Sequence, residues 1–264
     1  MTAILTAWGI GFIAMLIMMT TLWGVSLALK DSSIVDIFWG VGFILMAWTY
    51  YFTVEGAAPR QLLIVILVTV WGLRLASYII YRNWGKGEDF RYQSMREDRG
   101  ESWWWVSFFQ VFLLQGILFW VISLPLLAAQ AADTPAALTL VDYIGIAVWG
   151  IGFFFETVGD LQLAVFKSKP ENEGELLTSG LWRYTRHPNY FGDAAVWWGY
   201  GIIALATMTA FGVISLIGPA IMTYLLLRVS GVAMLEKSLK DTKPGYEEYV
   251  RKTSGFFPLP PKDS

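Results

Sequence analysis

Hydrophobic positions along this chain come in long unbroken blocks, without the strict alternation of a half-buried strand. A block of about 20 apolar residues crosses a bilayer as a helix. Seven such segments are expected, at roughly 3–29, 34–54, 60–81, 103–129, 138–165, 191–209 and 211–235. The chain therefore reads as an all-α polytopic integral membrane protein with seven transmembrane helices. The block from Met1 to Leu29 is too long for the core of a removable signal peptide and reads as the first of them. Tyr50 and Tyr51, and Trp103 to Trp105, read as interfacial belts.

The polar stretches between the blocks are unequal. Lys30, then Arg82, Lys86, Arg91, Arg96 and Arg99, then Lys167, Lys169, Arg183 and Arg186, and finally Lys237, Lys240, Lys243, Arg251, Lys252 and Lys262 fall on one side. Only Arg60 falls on the other. By the positive-inside bias this places the N-terminus outside and the C-terminus in the cytoplasm. A single membrane domain over 1–264 is expected, with substrate-facing helices over about 1–129. Cofactor-binding helices, inner loops and tail then occupy about 138–264. There is no internal repeat of the kind seen in many transporters.

Composition narrows the chemistry. The chain is 56% hydrophobic and only 15% charged, against about 25% charged in soluble domains, and its mean hydropathy is +0.51. A net charge of −2 implies no basic surface for nucleic acid. Without cysteine there is no disulfide framework, thiolate nucleophile or iron–sulfur ligand. One histidine excludes a multi-histidine metal centre.

Polar residues that interrupt apolar blocks are the candidates for function. The densest set is Gly180 to Asp193, GLWRYTRHPNYFGD, with Arg183, Tyr184, Arg186, His187, Asn189, Tyr190 and Asp193. Arg183 and Arg186 are three apart, so a helical turn would aim both guanidiniums at one anion, such as a phosphate. The plainer alternative is a basic loop that only sets topology. Glu156 and Asp160 are four apart on one helix face and call for donors, from a ribose, an amide or an arginine of a neighbouring helix. Arg74 and Tyr78 repeat that spacing ahead of the charged loop GKGEDFRYQSMREDRG, which reads mostly as solvated surface. Asp36 sits in SIVDIFWG, where an apolar wall would favour a neutral carboxyl able to donate a hydrogen bond; a helix cap or a partner for Arg74 is the alternative. Arg228 ends the last apolar block, followed by Glu236 and a tail, GYEEYVRKTSGFFPLPP, expected to lie along the cytoplasmic face. No glycine-rich nucleotide fingerprint is visible, so helices and inner loops would have to hold any nucleotide.

Four patches, RLASYIIYRNWGKGEDFRY, ETVGDLQLAVFKSKPENEG, GLWRYTRHPNYFGD and GYEEYVRKTSGFFP, resemble the membrane-bound steroid 5α-reductase family in its bacterial branch, often filed as a domain of unknown function (DUF1295-like). The RHPNYFGD core is also similar to sterol delta-14 reductases, and isoprenylcysteine methyltransferases share part of it. The resemblance implies NADPH-dependent reduction of the Δ4 double bond of a 3-oxo-steroid or a similar apolar enone. It implies cofactor contacts at Asp160, Lys167, Tyr184, Asn189, Asp193 and Arg228, a substrate-facing acid at Asp36, and a family tyrosine at Tyr78. The tyrosine that pairs with that acid in animal enzymes falls on Trp71 here.

The expected cofactor set is Arg74, Glu156, Asp160, Lys167, Lys169, Arg183, Tyr184, Arg186, His187, Asn189, Tyr190, Asp193 and Arg228, with Asp36 and Tyr78 catalytic and no metal. The expected protein is a monomer in a bacterial inner membrane, with its cofactor site facing the cytoplasm. Its steroid or lipid enone enters from the bilayer, and membrane lipid is its other partner. Alternatives are an S-adenosylmethionine-dependent prenyl or lipid methyltransferase, which favours an acidic pair where this chain reads MLEKSL, and a non-catalytic sterol-binding or transport protein.

Overall fold

The computed structural model describes residues 2–229, 232, 236 and 243–262, and the described residues are helical with no strand beyond one isolated bridge, Thr185 to Ser254. The helices are α1 Thr2–Leu29, α2 Ile34–Thr53, α3 Ala58–Asn83, α4 Phe90–Arg99, α5 Trp103–Ser107, α6 Leu114–Ile122, α7 Leu124–Gln130, α8 Leu140–Lys167, α9 Pro188–Leu205, α10 Ala210–Ile214, α11 Ile217–Tyr224 and α12 Tyr246–Lys252. Wide π-helical turns at Phe108–Leu113 and Leu225–Val229 join α5 to α6 and extend α11.

Six helical stretches among the described residues are long and apolar enough to cross a membrane: Thr2–Leu29, Ile34–Thr53, Ala58–Asn83, Phe90–Gln130, Leu140–Lys167 and Ala210–Val229. The protein is an all-α integral membrane protein with multiple candidate spans. The segment expected at 191–209 is also helical, as α9, but its Asn189, Asp193 and polar aromatics keep it outside those six. The expected continuation of the last block to 235 lies largely outside the described residues, as do Lys237, Lys240 and most of MLEKSL.

The chain forms two compact units. The first comprises the residues up to Thr139 with Ala204–Ser215. In it α2 packs on α1 and α3, and the stretch Phe108–Ile122 closes on α1. Glycine sets the approach of α2 to α3: a Cβ on Gly40 would lie 2.6 Å from the Gly72 carbonyl oxygen, and one on Gly72 would lie 2.7 Å from that of Gly40. With no side chain between them the backbones touch, the packing that membrane helices use where apolar burial gives little drive. Phe43, Met46, Trp71, Phe112 and Phe119 fill this core. Tyr50 is also buried, its hydroxyl 2.9 Å from the Ser123 hydroxyl, so it is a core residue and not part of a belt. Arg60 is buried at 1% exposure and donates to the carbonyls of Pro135 and Ala137.

The charged loop holds a helix that its polarity concealed. Asp89 accepts the Arg91 backbone N–H at 3.0 Å and caps α4. Tyr92 points inward and is 5% exposed, while most of the other α4 side chains are partly or fully exposed.

The second unit comprises Leu140–Ile203 and the chain from Leu216 onward. Glycines recur here every seven residues. Gly145, Gly152 and Gly159 on α8 face α9, whose Gly192 and Gly199 answer them. A Cβ on Gly152 would lie 2.6 Å from the Gly192 carbonyl oxygen, and one on Gly145 would lie 2.9 Å from that of Gly199. Seven residues are two helical turns, so the glycines form one stripe along which the two backbones meet.

Candidate functional site

The glycine stripe brings the sequence's polar patches together in the second unit. Glu156 and Asp160, at 3% and 4% exposure, follow Gly152 on α8. Gly192 abuts Glu156, and Pro188 and Asn189 abut Gly159. The first turn of α9 therefore opens beside the two carboxylates. Asn189 Nδ2 donates to Asp160 Oδ1 at 3.0 Å. About three turns further along α9, Tyr200 accepts from Trp149 Nε1 at 2.9 Å. Carboxylates this deep cost several kcal/mol to bury unless donors meet them.

The loop before α9 is anchored from both sides. Gln162 Oε1 accepts the Leu181 N–H at 3.0 Å, and Trp182 Nε1 donates to the Gly159 carbonyl at 3.1 Å. Gly180 has φ 62°, a conformation that favours glycine, and any Cβ there would strike Gln162. From Tyr184 the loop runs beside the tail. Thr185 Oγ1 donates to Phe256 O at 2.9 Å, Arg186 N to Ser254 O at 2.9 Å, and Leu259 N to Tyr184 O at 3.0 Å.

Arg183 and Arg186 do not share one helical turn. A tight turn covers Gly180–Arg183 and ends there, while Arg186 follows the bridge residue Thr185 beside the tail. The Arg186 guanidinium binds the protein itself: Nε and Nη2 donate to Glu236 Oε1 at 2.9 and 2.6 Å, and Nη1 donates to Val250 O at 3.3 Å and Thr253 O at 2.6 Å. His187 Nε2 is 3.3 Å from the same Glu236 oxygen, and Tyr190 stacks on the imidazole at 5.5 Å with 7° between planes. A carboxylate only accepts, so this geometry puts a proton on Nε2. The hydrogen bond from His187 lowers the Glu236 carboxyl; burial opposes it, and Arg186 adds to the lowering.

Of the other expected cofactor residues, Lys167 ends α8, and Arg183, Tyr184 and Arg228 are exposed. Lys169 lines a separate groove along α8.

The first unit holds a second polar cluster, around Asp36. Its Oδ2 accepts from Arg91 Nη2 at 2.8 Å and its Oδ1 from the Tyr92 hydroxyl at 2.6 Å. Gln115 Nε2 donates to the Tyr92 oxygen at 3.2 Å. Arg91 also binds Asp89, Nε to Oδ1 at 2.9 Å; burial would raise that carboxyl, but the Arg91 hydrogen bonds hold it below its ordinary value. The sequence suggests a neutral Asp36 that donates. Here both oxygens accept, one from a guanidinium, and the donor is the Tyr92 hydroxyl. Tyr78 lies under Arg74 at 5.6 Å and Arg82 at 5.9 Å. Trp71 is fully buried against Phe43, ring centroids 5.7 Å apart.

Tyr92 and Gln115 were not singled out by the sequence. Tyr92 was concealed in a stretch read as solvated surface. Gln115 did carry a signal, since a lone amide within an apolar span must find partners inside it.

The family model described as a protein of unknown function (DUF1295) matches residues 22–253. The chain belongs to the DUF1295 family. The match takes in both clusters, from Asp36 to the Thr253 carbonyl that Arg186 holds. Another similar chain is the uncharacterized protein C594.04c of Schizosaccharomyces pombe, 26% identical over 285 residues that cover 94% of this chain and 79% of the yeast protein. No solved structure matches significantly. Neither description names an activity for the DUF1295 fold.

Proposed function

We propose that this DUF1295 protein is an NADPH-dependent reductase acting on the Δ4 double bond of 3-oxo-steroids or similar apolar enones. The observation that carries the reading is Tyr92, whose buried hydroxyl is held at 2.6 Å by Asp36 of the apolar α2 and at 3.2 Å by Gln115 of the apolar α6. NADPH, when bound, supplies the hydride for the β-carbon of the enone. Negative charge then develops on the carbonyl oxygen, which becomes a competing acceptor for the Tyr92 proton. In a low-dielectric site that hydrogen bond strengthens with the charge. Asp36 and Gln115 aim the hydroxyl, and Arg91 holds Asp36.

The second unit supports the cofactor half of the reading. Asp160, a buried carboxylate bonded to Asn189, is the group that would meet ribose hydroxyls or an amide. Lys167, Arg183 and Arg228 supply charge for phosphates, with Tyr184 among them. Arg186, His187 and Tyr190 hold the tail and thereby shape this site. The reading takes seven spans with the C-terminus in the cytoplasm of a bacterial cell, where NADPH is available, and a substrate that comes from the bilayer.

A second reading, S-adenosylmethionine-dependent methyl transfer, rests on the Arg-His-Pro…Tyr-x-Gly part of this loop, Arg186 to Gly192; Glu236, which binds Arg186 and His187, is a single acid where the methyltransferases favour a pair. Thermal shift of the detergent-purified protein with NADPH, NADH and S-adenosylmethionine separates the two. Stabilisation by NADPH, followed by its oxidation on adding progesterone or testosterone, is the expected result. Stabilisation by S-adenosylmethionine alone selects the methyltransferase, and by neither cofactor a non-catalytic lipid-binding protein.

A further inference from the structure

A groove of about 370 Å³ runs along the last turns of α8, away from any role in the reaction above. Its floor is Leu161, Val165, Phe166 and Leu177, and its polar lining includes Lys169 and Ser179. Leu161 and Val165 are four apart, so they share a helix face, and both are about half exposed or more, at 60% and 50%. They belong to the candidate span Leu140–Lys167, so this face looks onto acyl chains. Lys169 follows the last helical residue by two, and Leu161 lies about 9 Å down the helix from Lys167 at 1.5 Å per residue. Cation and apolar floor are thus stacked as a phospholipid's headgroup and upper chain are. Among the described residues no carboxylate lines the groove; Glu171, Glu173 and Glu175 are exposed outside it.

We propose that this groove binds an anionic phospholipid, an acyl chain along Leu161, Val165, Phe166 and Leu177 and the phosphate against Lys169 and the Ser179 hydroxyl. Long basic side chains reach the interface in this way at helix ends, and anionic headgroups draw juxtamembrane lysines. The assignment removes Lys169 from the residues that contact cofactor phosphates. It is independent of the enzymatic reading.

The test is native mass spectrometry of the delipidated full-length protein with dioleoylphosphatidylglycerol or dioleoylphosphatidylcholine. The protein should retain several-fold more phosphatidylglycerol. Lys169→Glu should erase the preference, while Lys86→Glu, the same charge change in the loop after α3, should keep it. A photo-crosslinking residue at Leu177 should label phosphatidylglycerol in the otherwise native chain, a readout that survives if Lys169→Glu misfolds. Equal retention of the two lipids, an unchanged preference in Lys169→Glu, or release of the lipid by millimolar NADPH or inorganic phosphate would each overturn the proposal.

Discussion

The Tyr92 hydroxyl donates to Asp36 Oδ1 at 2.6 Å, and the second oxygen of that carboxylate is held by Arg91 at 2.8 Å. Tyr92→Phe should therefore lower kcat for enone reduction by about 10² to 10⁴, the range that a positioned acid contributes, while NADPH still raises the melting temperature. Asp36→Asn should lower it less, because the amide oxygen still accepts. Steady-state kinetics with cofactor thermal shift reads both, and unchanged turnover in Tyr92→Phe removes it from the mechanism.

Gln115 donates to the same hydroxyl from inside an apolar span. Gln115→Leu should reduce kcat about tenfold with KM little changed, because it loosens the aim of Tyr92 without removing its proton. Gln115→Glu would bring a second carboxylate to that oxygen and should move the alkaline limb of the pH–rate profile. A profile that superimposes on the wild type would leave Gln115 a packing residue.

Asn189 and Asp160 meet across the α8–α9 seam at 3.0 Å. Asn189→Ala removes one donor from a carboxylate that is 4% exposed. NADPH affinity, measured by titration, should weaken about tenfold or more as the carboxylate loses its fixed orientation. The seam itself can be probed with Gly152→Ala, whose Cβ would lie 2.5 Å from Val196 N. Overpacking of this kind costs about 1–3 kcal/mol, and here it should lower the melting temperature and weaken NADPH together. If stability falls and NADPH affinity holds, the carboxylates are not part of the cofactor site.

Glu236 gathers Arg186 and His187, and those contacts depress its carboxyl in the folded protein. A depressed acid stabilises the fold at pH values above its unfolded value, about 4.3. That contribution fades as pH falls through the lower, folded value. The melting temperature of the wild type should therefore decline below about pH 4.3 more steeply than that of Glu236→Gln. Parallel curves would show that the cluster does not couple to folding.

The sequence by itself determined that this chain is a helical membrane protein, because blocks of about 20 apolar residues can satisfy their backbones in lipid only as helices or closed barrels. It also marked Glu156, Asp160, Asn189 and Asp193, because polar groups in such blocks need partners. It did not say who the partners are. Arg186 looked like a phosphate ligand and holds Glu236 and the tail, since a guanidinium suits carboxylates, carbonyls and phosphates alike. Tyr92 looked solvated because its α4 neighbours are charged, and only the packing of α4 turns that one side chain onto Asp36. The contact of α8 with α9 was written as glycines seven apart, yet glycine reports only that something comes close. The fold decided that Asn189 meets Asp160, because partner identity depends on distances between residues far apart in the chain.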